Sequence, residues 1–126
     1  MLDLVIIGGS SAGAAAAVYA ARRGLNFKVV TKDFAGELAT SGEIGNWPGI
    51  PKTDGIELMQ KFREHMEFLK VSIDEGPQVR SITTQADGTF VIATGENDTA
   101  YEAKTVIVAS GAHPRELGIV GEKEFR

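Results

Sequence analysis

Gly8-Gly9-Ser10-Ser11-Ala12-Gly13 carries the most specific chemistry in this sequence. It follows G-x-G-x-x-G at the first and third glycines, Gly8 and Gly13, and places Ser10 at the second. In a dinucleotide site the first glycine permits a tight turn, and the second lets backbone approach a pyrophosphate. The third lets the following helix pack close to the strand. The helix N-terminus then offers free N–H groups and a positive dipole end to the phosphates. Ser10 adds bulk where phosphates approach, although its hydroxyl can donate a hydrogen bond to them. A second departure lies where an acid usually holds the ribose hydroxyls, because the sequence there reads Thr31-Lys32-Asp33. A missing acid beside a lysine also suits NADP, whose 2′-phosphate takes a cation. Spacing alone leaves FAD and NADP both open, and a glycine turn with no ligand is the plainer alternative.

The elements around this turn supply its context. Leu4-Val5-Ile6-Ile7 is an apolar run suited to a strand buried on both faces, as in a parallel sheet. Residues 14–23 are rich in alanine, the best helix former, and Gly24 stands where a helix-terminating glycine belongs. Phe27 to Thr31 reads as a second strand, completing a βαβ unit. Residues 32–53 form a long irregular stretch of the kind that is usually functional. Asp54 and Glu57 have capping-box spacing for a helix reaching Lys70, with Ile56, Met59, Phe62, Met66 and Leu69 as its apolar stripe. Val71 to Ile73 predicts a short strand. Residues 79–83 and 89–93 are β-rich around an Asp87-Gly88 hairpin signal. A third strand is expected over 99–103 and a separate buried strand over 105–109, followed by loop to Arg126. The expected fold class is α/β, Rossmann-like, with a parallel sheet and a small antiparallel β-meander.

Composition excludes several functions. There are no cysteines, so the chain holds no disulfide, thiolate metal site or dithiol centre. Two histidines, His65 and His113, make a histidine metal site improbable. The net charge of −4 and the scattered basic residues argue against nucleic-acid binding. No run reaches the roughly 20 apolar residues that span a bilayer, and no basic n-region precedes the first apolar run. A cytoplasmic location is the default expectation. Length suits one domain, taken as residues 1–126.

Further stretches carry a family likeness. Residues 3–9, Val18 to Arg22, Gly36-Glu37-Leu38-Ala39-Thr40, Glu43 to Gly49 and Val106 to Ala112 resemble thioredoxin reductase and the flavoprotein subunit of alkyl hydroperoxide reductase. Asn46-Trp47-Pro48-Gly49 is the most specific of these. The resemblance implies that the turn, through Gly8, Ser10, Ser11, Ala12 and Gly13, binds FAD, and it accounts for Thr31. It places Gly36, Glu37, Leu38 and Thr40 along the flavin and Asn46 at the isoalloxazine ring. It gives Val79 backbone groups facing the adenine, and it has Ala109, Ser110 and Gly111 close over the cofactor. The intact enzyme would pass a hydride from NADPH or NADH to FAD and then electrons to a dithiol, with a thioredoxin-like acceptor and a homodimer as family habits.

Where the family reads Gly-Gly-Gln, this chain has Ala35-Gly36-Glu37. A carboxylate loses the amide donors. Beside a flavin it disfavours an anionic reduced ring, which would lower the potential or alter hydride acceptance. Ser110 replaces a common Thr, and Gly45 a common Glu. In the family the chain would continue into an NADPH domain with C-x-x-C and return to complete the FAD domain, so this chain is expected to be an incomplete FAD-binding segment. It would expose part of its site and core and supply no catalytic residue of its own. The alternatives are a ferredoxin- or flavodoxin-NADP reductase-like enzyme and a non-catalytic nucleotide-binding fragment. Trp47 is expected as a packing anchor, His65 as a surface residue and His113 in a structural loop.

Overall fold

A computed structural model describes residues 1–95, 100–112, 115–122 and 124. Its first elements are β1 (Leu2–Ile7), α1 (Ser11–Arg22) and β2 (Phe27–Thr31). A 3-10 helix (Gly36–Thr40) and a small hairpin of β3 (Glu43–Ile44) and β4 (Thr53–Asp54) follow. Then come α2 (Gly55–Phe68), β5 (Ile73–Glu75), β6 (Val79–Thr84), β7 (Phe90–Thr94) and β8 (Ala100–Val108). Six strands form one sheet in the order β5-β2-β1-β8-β7-β6. The pairs β5–β2, β2–β1 and β1–β8 are parallel, and β8–β7 and β7–β6 are antiparallel. This is the expected α/β architecture, with the meander grown from the edge of the parallel sheet.

The two strands expected over 99–103 and 105–109 are one. Ala103 pairs with Phe90 on one side and Leu2 on the other, so β8 serves the meander and the parallel sheet without a break. Lys104, which fell between the two expected strands, and Thr105 are both satisfied by Asp3 of β1. Lys104 Nζ reaches Asp3 Oδ1 at 2.7 Å, and Thr105 Oγ1 donates to the Asp3 carbonyl at 2.7 Å. Thr99 and His113 lie outside the described residues. Beyond Ala103 the described ladder pairs β8 only with β1, and Ile107 and Val108 are 40% and 62% exposed.

Both faces of the parallel strands are buried, which explains their unbroken apolar runs. On one face Leu4, Ile6 and Val29 pack with Ala14, Ala17 and Ala20 of α1 and Met66 of α2. Those alanines carry so little bulk that α1 can lie close to the sheet. On the other face Val5, Ile7 and Val30 join Ile92 and Ala103.

Helix α2 turns further than its expected stripe. Leu58 is 1% exposed and Met66 is fully buried, Met59 and Phe62 pack at the margin, and Ile56 is 54% exposed. Asp54 caps the helix by accepting from the Glu57 N–H at 2.8 Å, as its spacing predicted. Residues 32–53 are more ordered than a plain loop. Gly55 is why the 3-10 helix can sit on α2, since a Cβ there would stand 1.7 Å from the Leu38 carbonyl oxygen. Trp47 is half-buried against Phe62 with ring centroids 5.0 Å apart, the anchor role expected of it. His65 is exposed. Among the described residues, no helix is long and apolar enough to cross a membrane.

Candidate functional site

A cavity of about 510 Å³ opens at the carboxyl ends of β1, β2 and β8. The chain leaves β1 for β2 on one side, while β8 flanks β1 on the other. Such a change of direction between parallel strands opens a crevice where ligands settle in α/β sheets.

The glycine turn forms its floor. Gly8 has φ +103°, and a Cβ there would lie 2.2 Å from the Ala109 carbonyl oxygen. Positive φ and that close approach together admit only glycine. A Cβ at Gly13 would stand 1.8 Å from the Gly8 carbonyl oxygen, so this glycine sets the approach of α1 to the turn. Gly13 is buried behind the cavity and does not line it.

Ser10 occupies the N-cap position of α1 with extended backbone that suits any residue. Its hydroxyl donates to the Ala35 carbonyl at 3.0 Å. The first intrahelical bond runs from the Ala14 N–H to the Ser10 carbonyl at 2.8 Å. The N–H groups of Ser11, Ala12 and Gly13 therefore have no acceptor within the helix. Ser11 and Ala12 line the cavity, and the first turn carries no acid that would repel an anion.

Thr31 is 5% exposed at the end of β2. Its hydroxyl accepts from the Gly9 N–H at 3.2 Å and donates to the Asp33 carbonyl. Thr31 is thus engaged in holding the turn. Asp33 accepts from the Gly36 N–H at 2.6 Å, which shapes the entry to the 3-10 helix. Phe34, 2% exposed, lies beneath the turn with its N–H donated to Glu75 at 3.2 Å. The Arg63 guanidinium sits 4.5 Å from the Phe34 ring and pairs with Glu75 at 2.7 Å.

Of the residues expected at a site, the cavity brings together Gly8, Ser10, Ser11, Ala12, Thr31, Gly36, Glu37, Leu38, Val79, Ala109, Ser110 and Gly111. Thr40 is on the 3-10 helix, its hydroxyl donating to the Glu37 carbonyl at 2.9 Å, and is not part of the lining. Asn46 is exposed and also outside the lining. Lys32, Asp33, Ser41, Pro77, Gln78 and Ala112 line the cavity as well. Lys32 and Asp33 were visible in the sequence as neighbours of Thr31. Pro77 and Gln78 are brought in by the return from β5 to β6, which no local pattern signals.

That return is anchored on the face opposite the helices. Asp74 of β5 accepts from Lys28 at 2.9 Å and 3.0 Å and from the Tyr101 hydroxyl at 2.8 Å. Burial works to raise the Asp74 pKa, but the hydrogen bonds from Lys28 and Tyr101 and the Lys28 charge outweigh it and hold the carboxyl below its usual range. Burial, with the Asp74 hydrogen bond and charge, pushes the Tyr101 hydroxyl up to about 12. Among the described residues, no group of three or more His, Asp or Glu side chains is placed to hold a metal ion.

Known proteins resemble this chain in sequence and fold. An alkyl hydroperoxide reductase subunit of Pseudomonas putida is 34% identical over 124 residues, covering 98% of this chain and 24% of that protein. The thioredoxin reductase of Buchnera aphidicola subsp. Acyrthosiphon pisum is 38% identical over 125 residues, covering 98% of this chain and 38% of its own length. The crystal structure of Lactococcus lactis thioredoxin reductase superposes with a TM-score of 0.88 at 34% identity, over 99% of this chain and 40% of that one. This chain therefore spans well under half the length of the relatives it matches. The family model described as pyridine nucleotide-disulphide oxidoreductase matches residues 2–126, and the chain belongs to that family.

Proposed function

We propose that this chain is the FAD-binding portion of a pyridine-nucleotide-dependent, thioredoxin-reductase-like oxidoreductase. The observation that carries the reading is the cavity at the end of β1, where Gly8 and Gly13 bring strand and helix together and the open N-terminus of α1 faces the space. The donor set fits a dinucleotide. Backbone N–H groups and a helix dipole await a pyrophosphate, and no acidic side chain stands in the first turn.

In this reading the adenosine end lies by Val79 and the end of β2. The pyrophosphate meets Ser11 and Ala12, and the ribityl chain and ring run along Gly36, Glu37 and Leu38 toward Ala109, Ser110 and Gly111. Thr40 and Asn46, which lie outside the lining, are assigned to the flavin and its ring by the family resemblance alone. When bound, FAD supplies hydride acceptance and onward electron transfer. The protein's own part is to hold, orient and electrostatically tune it. NADPH or NADH as donor, a thioredoxin-like acceptor and a dimeric assembly belong to the intact protein in this proposal.

Lys32 on the cavity rim favours one competing ligand, NADP, whose 2′-phosphate it could pair with. Calorimetric titration of the chain with FAD and, separately, with NADP⁺ decides between them. Tighter binding of FAD supports the proposal. Tighter binding of NADP⁺, abolished in Lys32→Ala, would reassign the cavity.

A further inference from the structure

We infer that Ser10 is a positioning residue whose hydroxyl latches the glycine turn to the 3-10 helix while leaving the N-terminus of α1 uncapped for a pyrophosphate. The inference rests on the reading of the cavity as an FAD site. Serine is among the preferred N-cap residues, and its oxygen ordinarily accepts from the second or third N–H of the helix. At Ser10 the backbone has the extended N-cap conformation, yet the side chain makes no capping bond. It points 25 residues along the chain instead and donates to the Ala35 carbonyl at 3.0 Å.

Ala35 immediately precedes the 3-10 helix. Its neighbour Gly36 has φ +53°, which favours glycine at the entry to the 3-10 helix, and lies beside Ser10, where an added Cβ would make an ordinary 3.4 Å contact with the Ser10 Cβ. One side chain therefore does two things. By turning away from α1 it leaves the Ala12 and Gly13 N–H groups, the usual partners of a capping oxygen, available to a ligand. By reaching Ala35 it ties that phosphate-facing turn to the wall bearing Glu37 and Leu38, which a glycine at the same position could not do. The two halves of the cavity are then held in fixed relation, one facing the pyrophosphate and the other the ribityl and ring portion.

The test compares the parent chain with Ser10→Ala and Ser10→Thr, using two ligands and one ligand-free measurement. ADP reaches the turn but carries no ribityl chain or ring, whereas FAD spans both halves. With one neutral hydrogen bond lost, Ser10→Ala should bind FAD roughly five- to tenfold more weakly and ADP within about twofold of the parent. Ser10→Thr, which keeps the hydroxyl, should recover FAD binding. Hydrogen exchange without ligand should quicken at residues 36–41 in Ser10→Ala and stay unchanged in β1 and β2. Equal weakening of FAD and ADP would overturn the latch and return the hydroxyl to the phosphate. Unchanged FAD binding with unchanged exchange would also overturn it. A parent chain that binds neither ligand would instead defeat the FAD reading, and the ligand-free exchange would still decide whether Ser10 holds the 3-10 helix.

Discussion

The Tyr101 hydroxyl donates to Asp74 Oδ2 at 2.8 Å, reaching from β8 to β5 across the two strands between them. Lys28 of β2 completes the group, with its ammonium on the same carboxylate and 5.9 Å from the Tyr101 ring. Residues 77–79, a wall of the cavity, begin three positions after Asp74. The cluster thus fixes the edge strand from which that wall is hung.

The cluster makes stability depend on pH in two windows. Asp74 is lowered in the fold, so its contribution is complete above the unfolded value near 3.9 and is lost as pH falls through the lower folded value. Tyr101 is raised to about 12, so its contribution is complete below its ordinary 10.0 and is lost as pH rises between the two. Tyr101→Phe should cost about 1 kcal/mol at neutral pH, a charged hydrogen bond discounted for partial exposure. Denaturant titrations across pH should show the variant without the tyrosine part of the alkaline decline. An unchanged alkaline limb would contradict this.

Gly13→Ala should be severe. A methyl group 1.8 Å from the Gly8 carbonyl oxygen forces α1 away from the turn. The expected cost is roughly 2–4 kcal/mol, with loss of FAD binding even where the fold survives. Thermal unfolding and FAD titration on the same sample report the two effects separately.

The packing of Trp47 on Phe62 gives an optical handle, because Trp47 is the chain's single tryptophan. Phe62→Ala should shift its emission to the red and cost about 2 kcal/mol by leaving a partly collapsed gap. An unmoved emission maximum would mean that the loop does not rest on α2 in solution.

Much of this arrangement was legible in the sequence. The βαβ unit announced itself because strands buried on both faces need continuous apolar runs, and because Gly8 and Gly13 answer to contacts that side chains could not survive. The α2 cap was equally plain, since Asp54 and Glu57 satisfy it locally. Legibility failed where distant partners decide. Lys104 looked like a break in β8 only while Asp3 was out of view. Ile56 and Leu58 lie within one turn of each other, so which faces inward is set by what α2 packs upon. The bond from Ser10 to Ala35 was out of sight because the two lie 25 residues apart along the chain. Pro77 and Gln78 reach the cavity through sheet topology alone.

Glu37 lines the cavity at a position where the resemblance to thioredoxin reductase implies glutamine. With FAD bound, its carboxylate disfavours negative charge on the reduced ring, so Glu37→Gln should raise the flavin midpoint potential. Redox titration of the two FAD-loaded proteins reads the difference directly, and an equal or lower potential in the variant would show that Glu37 does not act on the ring.

The most direct test of the account is the visible absorption spectrum of the purified chain, incubated with FAD and then freed of unbound cofactor. The account predicts a retained flavin band in the parent protein and none in Gly13→Ala. A parent spectrum without the band would contradict FAD binding by this cavity.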